Sequence, residues 1–278
     1  MSPGPVALPA PADVAAIVCD LDGVVYRGRQ AVPHAVEALR RVAVPVVYAT
    51  NNASRPPQLV VEHLSELGLA VGVHDVLTSA QAGAAAIAAR MPGATVLAVG
   101  GEGVDEALVA AGLHPTRDGN ASCDAVMQGY GPQVTMSDLA DAAVAVQAGA
   151  WWVATNTDLT IPLDRGIAPA NGTLVRAVAV AAGREPDRVC GKPFPDLYLV
   201  AAERLGVPPG MTIGVGDRLD TDIEGANAAG APSVLVLTGV DSKDTADRAS
   251  PHQRPSLIID DLRDLDRLVL MSPSGALR

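Results

Sequence analysis

An uncharged run, Ala15-Ala16-Ile17-Val18, breaks abruptly into Cys19-Asp20-Leu21-Asp22-Gly23. The run is rich in branched side chains, as expected of a strand buried on both faces. Two carboxylates one residue apart stand at its end, followed by a glycine able to take turn conformations that other residues avoid. Along a continuing strand Asp20 and Asp22 would diverge to opposite faces. A turn beginning at Leu21 and Asp22 instead brings both to one small volume. Like charges held that close need a cation or a shared proton between them.

The rest of the chain repeats this pattern of buried strand followed by helix. Val44 to Asn51, Ala94–Gly100, Asp124–Tyr130, Ala150–Thr155, Met211–Gly216, Ser233–Leu237 and Leu257–Ile259 read as strands. Between them, helices are expected over Val36 to Val42, from Pro56-Pro57 to Gly68 with Ser54 as N-cap, and over Ser79–Arg90, Val104–Gly112, Ser137–Gly149 and Thr173–Gly183. This alternation specifies an α/β protein whose parallel sheet has helices on both faces. It restarts near Ala94, and the last strands resemble the first, so one α/β domain is interrupted by another. The expected layout is a mobile tail over 1–12, a core over 13–80, an inserted α/β domain over 81–185, more core over 186–270 and a polar tail over 271–278. Residues 156–171 read as irregular.

With 278 residues and 49% apolar side chains, the chain can form about two ordinary domains with sizeable cores. A net charge of −11 argues against nucleic acid or an anionic membrane as partner. No apolar run is long enough to span a bilayer, and the first residues lack the basic start of a signal peptide. Cys19, Cys123 and Cys190 are odd in number and lack metal-type spacing, which points to reduced thiols used for packing in the cytoplasm. The adjacent Trp151 and Trp152 should face opposite ways on a strand, and the five histidines form no cluster. Lysine is nearly absent; Lys192 and Lys243 are the only two, so a lysine within a motif is informative.

Four segments fall at strand ends or helix starts, where parallel α/β folds bind ligands. Asp20-x-Asp22-Gly23 is the first, and alone it also occurs in solvated turns. It is not an EF-hand loop, which needs further acidic positions. Thr50-Asn51-Asn52 closes the second strand, where a hydroxyl and following N–H groups can hold a phosphate oxygen or merely form a turn. Gly191-Lys192-Pro193 precedes a helix opened by Asp196, and its lysine suits a phosphate or a carboxylate-rich pocket. The fourth, Gly214-Val215-Gly216-Asp217-Arg218-Leu219-Asp220-Thr221-Asp222, delivers three carboxylates over six residues. Such a cluster of hard oxygens suits Mg²⁺, although helix-cap carboxylates would look similar.

In this order the four segments resemble the haloacid dehalogenase superfamily. The interruption between the second and third, together with Asn51-Asn52 and Gly-Asp-Arg-Leu-Asp-Thr-Asp, is similar to its NagD-like phosphatase branch. Gly216 to Gly230 is most like the glycerol-3-phosphate phosphatases of that branch, and phosphoglycolate phosphatases also belong to it. The resemblance spans about residues 13–270 and implies a Rossmann-like core with an inserted α/β cap.

It implies roles as well. Asp20 would be the nucleophile that forms an aspartyl-phosphate, and Asp22 the general acid and base. Mg²⁺ would be held by Asp20, the backbone carbonyl of Asp22, and Asp217, with Asp222 in support. Gly23, Thr50, Asn51, Asn52 and Lys192 would bind the phosphoryl group. Asn156, Asp158 and Arg165 would meet the leaving group from the cap. The expected activity is Mg²⁺-dependent hydrolysis of a small phosphorylated metabolite, glycerol 3-phosphate or 2-phosphoglycolate, by a protein able to dimerise through its cap. Nucleotide monophosphates and pyridoxal phosphate are the alternative substrates. A phosphomutase, a dehalogenase, a phospho-accepting receiver or a non-catalytic metabolite sensor on the same fold are the alternative roles.

Overall fold

The computed structural model describes residues 4–163 and 166–271. The chain forms two compact units. The first falls within Met1–Thr50, Gln58–Leu77 and Lys192–Arg278, and the second within Asn51–Pro57 and Thr78–Gly191.

A six-stranded sheet forms the first unit, in the order Leu257–Ile259, Ser233–Val236, Thr212–Gly216, Ala16–Cys19, Val46–Thr50, Val76–Thr78. Ala16–Cys19 pairs in parallel with both of its neighbours, opposing Val215 to Cys19 on one side and Tyr48 to Cys19 on the other. The central strands are buried along their length, which is why they read as continuous apolar runs without alternation. Ile17, Leu21, Leu39, Tyr48, Leu64 and Ile213 belong to the core around them.

The second unit has a five-stranded sheet of its own, in the order Arg188–Val189, Trp151–Ala154, Ala125–Gln128, Thr95–Val99, His114–Thr116, with parallel pairings throughout. Helices Met136–Gln147 and Asn171–Ala182 pack together, and Val126, Leu139, Trp152 and Val175 fill the core beneath. Trp152 is fully buried and donates its indole N–H to Gln128 Oε1 at 3.2 Å. Trp151 faces the other way, half-buried, with the Arg90 guanidinium 5.0 Å from its ring centre.

Several sequence expectations need correction. The boundaries expected at 81 and 185 lie inside the second unit. Thr78 caps helix Ser79–Arg90 through a reciprocal bond with Gln81, that helix packs on Glu102–Ala110, and Arg188–Val189 joins the second sheet. Ser54 does not cap the next helix, which begins at Pro57; its N–H and hydroxyl both donate to Asn52 Oδ1, at 2.9 and 2.8 Å. The stretch 156–171 is not wholly irregular, because Thr160–Leu163 pairs antiparallel with Gly166–Pro169. Prolines at 162 and 169 hide that hairpin from a reading based on alternation. The part of the expected mobile tail from Val6 is tied down: Ser256 Oγ donates to Val6 O at 2.5 Å, and Leu8 packs on the core. Met271 bridges to Val42. Residues 1–3 and 272–278 of the two expected tails, and Arg165, lie outside the described residues.

Ile17 has no exposed surface, so Ile17→Ala should lower the unfolding free energy of the first unit by about 2–5 kcal/mol. Leu59→Ala, at an exposed position, should leave the urea midpoint nearly unchanged. Equal midpoints for the two variants would contradict the assigned core.

Candidate active site

The parallel register of Ala16–Cys19 and Thr212–Gly216 brings their carboxyl ends to one edge of the sheet, so Asp20 and Asp217 emerge side by side. Asp20 is anchored there by its own N–H, which donates to Val215 O at 2.8 Å. After Gly216 the chain enters a wide π-helical turn, Leu219–Ile223, which folds Asp222 back toward the same point. One carboxylate oxygen each from Asp20, Asp217 and Asp222 lie within 4.8 Å of one another.

Lys192, only 3% exposed, reaches this group from the segment that follows the second unit. Its ammonium forms an ion pair with Asp20 Oδ1, lies 2.6 Å from Asp222 Oδ1 and donates to Ala49 O at 3.2 Å. Three carboxylates facing one ammonium leave two negative charges uncompensated. Hard oxygen donors carrying that charge deficit fit a divalent cation such as Mg²⁺.

The walls of the cluster are equally specific. Asp217 accepts the Val240 N–H at 2.8 Å, and Asp222 Oδ2 accepts the Arg218 N–H at 3.1 Å. Tyr198, buried, donates its hydroxyl to the Asp222 backbone oxygen at 2.9 Å. Gly23 stands against Asp217 with φ of +83°, where a side chain would be strained and its Cβ would collide with the carboxylate. A Cβ on Gly239 would collide with the same group. Thr50, 5% exposed, ends the strand next to Ala16–Cys19. Asp22 is exposed on the turn and its carboxylate lies outside the three-carboxylate group.

Electrostatics follow from this crowding. Burial lifts the Asp20 carboxyl well above the usual carboxylate range; Lys192 opposes the shift, while Asp222 and Asp217 reinforce it. Burial, then the Asp222 charge, raises Asp217 to about 6. Burial alone would lower Lys192, but Asp20 and Asp222 hold it well above its ordinary value, so it is a fixed cation. The Cys19 thiol is pushed up by burial and by Asp20, which leaves it inert as a nucleophile.

Asn51, Asn52, Asn156 and Asp158 belong to the second unit. There the Asn51 amide donates to the Asp158 carboxylate at 3.2 and 3.4 Å, and Asn52 is exposed. Asn156 is 4% exposed. Its amide donates to Asn51 O at 2.7 Å and its oxygen accepts the Asp158 N–H at 3.2 Å. Sequence reasoning missed Tyr198, Ser79 and Asn171. Tyr198 offered one signal, being among only four tyrosines and on the helix that Asp196 opens.

Comparisons with known proteins give the family. A sequence profile of haloacid dehalogenase-like hydrolases matches residues 17–114, and a HAD-hydrolase-like profile matches 189–265. The chain is 47% identical over 261 residues to D-glycerol 3-phosphate phosphatase of Mycobacterium tuberculosis, covering 92% of this chain and 73% of that protein. It is 37% identical over 228 residues to the acid sugar phosphatase of Staphylococcus aureus, covering 81% and 87%. The crystal structure of the M. tuberculosis glycerol phosphate phosphatase with magnesium superposes with a TM-score of 0.86 at 46% identity, covering 93% of this chain and 78% of that one. The p-nitrophenyl phosphatase from Archaeoglobus fulgidus gives 0.84 at 30% identity, covering 91% and 98%.

A divalent cation binds only ionised carboxylates, so protons compete with it. With Asp217 raised to about 6, Mg²⁺ stabilisation should be full above that pH and should fade as pH falls through it. At a concentration 100 times the dissociation constant the gain is about 2.7 kcal/mol. Thermal midpoints with and without Mg²⁺ at pH 7.5 and pH 5 check this; a shift that is absent, or equal at both pH values, would contradict the site.

Proposed function

The chain belongs to the haloacid dehalogenase-like hydrolases and is a phosphatase, and from that premise we propose that it is magnesium-dependent and hydrolyses a small polyol phosphate, glycerol 3-phosphate ahead of 2-phosphoglycolate, through a phosphoenzyme on Asp20. The observation that carries the reading is the Asp20–Lys192–Asp222 contact beside Asp217, at the carboxyl ends of two adjacent parallel strands.

Accessibility separates the carboxylates by role. The Asp20 side chain is 13% exposed, whereas that of Asp222 is 3% exposed and Asp217 is buried, so Asp20 is the one a phosphate can reach. An Asp20 oxygen attacks phosphorus and the ester bond breaks. Asp22, exposed two residues on, gives its proton to the departing alkoxide. Asp22 then takes a proton from water, which attacks phosphorus and frees Asp20. Lys192 holds Asp20 in place and balances charge on the transferring group, and Thr50 offers its hydroxyl to a phosphoryl oxygen. Asn51 and Asn52 follow Thr50 directly in the chain, which supports their assignment to the same phosphate. Gly23 keeps the Asp22 turn close against Asp217. Asp20, Asp217 and the Asp22 carbonyl, with Asp222 in support, would hold Mg²⁺, which would supply the charge that offsets the repulsion between an anionic nucleophile and an anionic substrate.

The polyol preference draws on the two relatives, named D-glycerol 3-phosphate phosphatase and acid sugar phosphatase. The second unit is then the family's inserted cap, and its half-buried Asp158 is a carboxylate suited to accept from a hydroxyl. Exposed Val144 and Val180, on the packed helices Met136–Gln147 and Asn171–Ala182, support a dimer formed through that unit. Three free cysteines accord with a reducing cytoplasm. No helix among the described residues is long and apolar enough to cross a membrane.

Phosphate release from a panel of small phosphomonoesters, with and without Mg²⁺, tests the reading. Asp20→Asn should lower turnover by at least about a thousandfold, and Asp22→Asn should slow poor leaving groups more than p-nitrophenolate. Undiminished turnover in Asp20→Asn would overturn the nucleophile assignment.

A further inference from the structure

The Asn51 carbonyl is gripped by two buried side chains from distant points of the chain. Ser79 Oγ donates to it at 2.7 Å and Asn156 Nδ2 also at 2.7 Å. Ser79 has no exposed surface, and Asn156 is 4% exposed. Asn156 is itself fixed: Asn171, fully buried, donates from Nδ2 to Asn156 O at 2.8 Å and to Gln128 O at 3.2 Å. The Asn51 amide, the Asp158 carboxylate and N–H, and Asn156 Oδ1 complete a closed ring of hydrogen bonds. Gly191 packs against this ring so closely that a Cβ there would stand 2.8 Å from Asn156 Cβ, 2.6 Å from Thr155 O and 2.9 Å from Asn51 Oδ1.

A peptide unit is planar and trans, so a carbonyl held by two donors also sets the direction of the N–H on its far side. Holding Asn51 O therefore fixes the Asn51–Asn52 peptide. We propose that Asn156 and Ser79 are positioning residues that hold this peptide, and with it the phosphate-binding turn after Thr50, in one orientation. Asn156 thus orders the turn instead of touching the leaving group. The inference rests on the phosphatase reading.

Asn156→Asp is nearly isosteric; it keeps the acceptor for the Asp158 N–H and removes the donor to Asn51 O. Ser79→Ala removes the other donor with the loss of one oxygen. Both variants, and the double variant, should be assayed on glycerol 3-phosphate and p-nitrophenyl phosphate, with thermal midpoints confirming that they fold. The expected result is a fall in kcat of about 10–100-fold, equal for the two esters, with KM little changed. The double variant should lose far less than the product of the single losses, because both donors serve one oxygen. The Mg²⁺ concentration for half-maximal activity should match wild type.

A rise in KM confined to one ester would make Asn156 a leaving-group contact and overturn the proposal, as would unchanged kcat in both single variants. Should Asn156→Asp fail to fold, Ser79→Ala alone decides by the same criteria. A wild type that releases no phosphate from any ester would sink the phosphatase reading itself, and the proposal with it.

Discussion

Lys192 is the counter-charge around which the first unit is built. Its ammonium touches Asp20, 172 positions earlier, and Asp222, thirty positions later by number. Buried carboxylates gathered this closely repel one another and are costly to desolvate, so the cluster persists only with cationic partners. The fold supplies one such partner covalently and leaves a deficit suited to a divalent ion. Parallel pairing of Ala16–Cys19 with Thr212–Gly216 makes the crowding geometrically unavoidable, since both strands end at the same edge. Raised Asp20 and Asp217 are the electrostatic signature of that constraint, in the direction expected where function needs a cation.

Glycines permit the approach that charge alone would resist. Gly23 and Gly239 close on Asp217 from two loops, and neither position tolerates a Cβ. Tyr198 secures the backbone at Asp222 from below. Among these carboxylates Asp20 and Asp22 are the more accessible, whereas Asp217 and Asp222 are buried.

Much of this was legible in the sequence, and the reasons are specific. Fully buried parallel strands leave long apolar runs, so Ala16–Cys19, Thr212–Gly216 and Ser233–Val236 were visible, as were the carboxylates that terminate two of them. The rarity of lysine made Lys192 conspicuous. Short strands such as His114–Thr116 and Arg188–Val189 carry too few residues for a periodic signal, and the Pro-containing hairpin after Thr160 carries none. Hydrogen bonds between side-chain amides and backbone carbonyls leave no trace in sequence at all. For that reason nothing in the sequence signals that the Asn156 amide is engaged at both ends, or that Ser79 and Asn171 bond to the same segment. Residue type reveals what a group can bond; only the fold decides with what.

The central claim is that this cluster makes Asp20 a covalent phosphate carrier. The most direct measurement is to quench a reaction with glycerol 3-phosphate and Mg²⁺ in acid, reduce any acyl phosphate with borodeuteride and map the modified residue by mass spectrometry. The account predicts a single modified position, Asp20, dependent on both substrate and Mg²⁺ and absent from Asp20→Asn. Rapid phosphate release with no reduced aspartate, or modification of Asp217 or Asp222 instead, would contradict it.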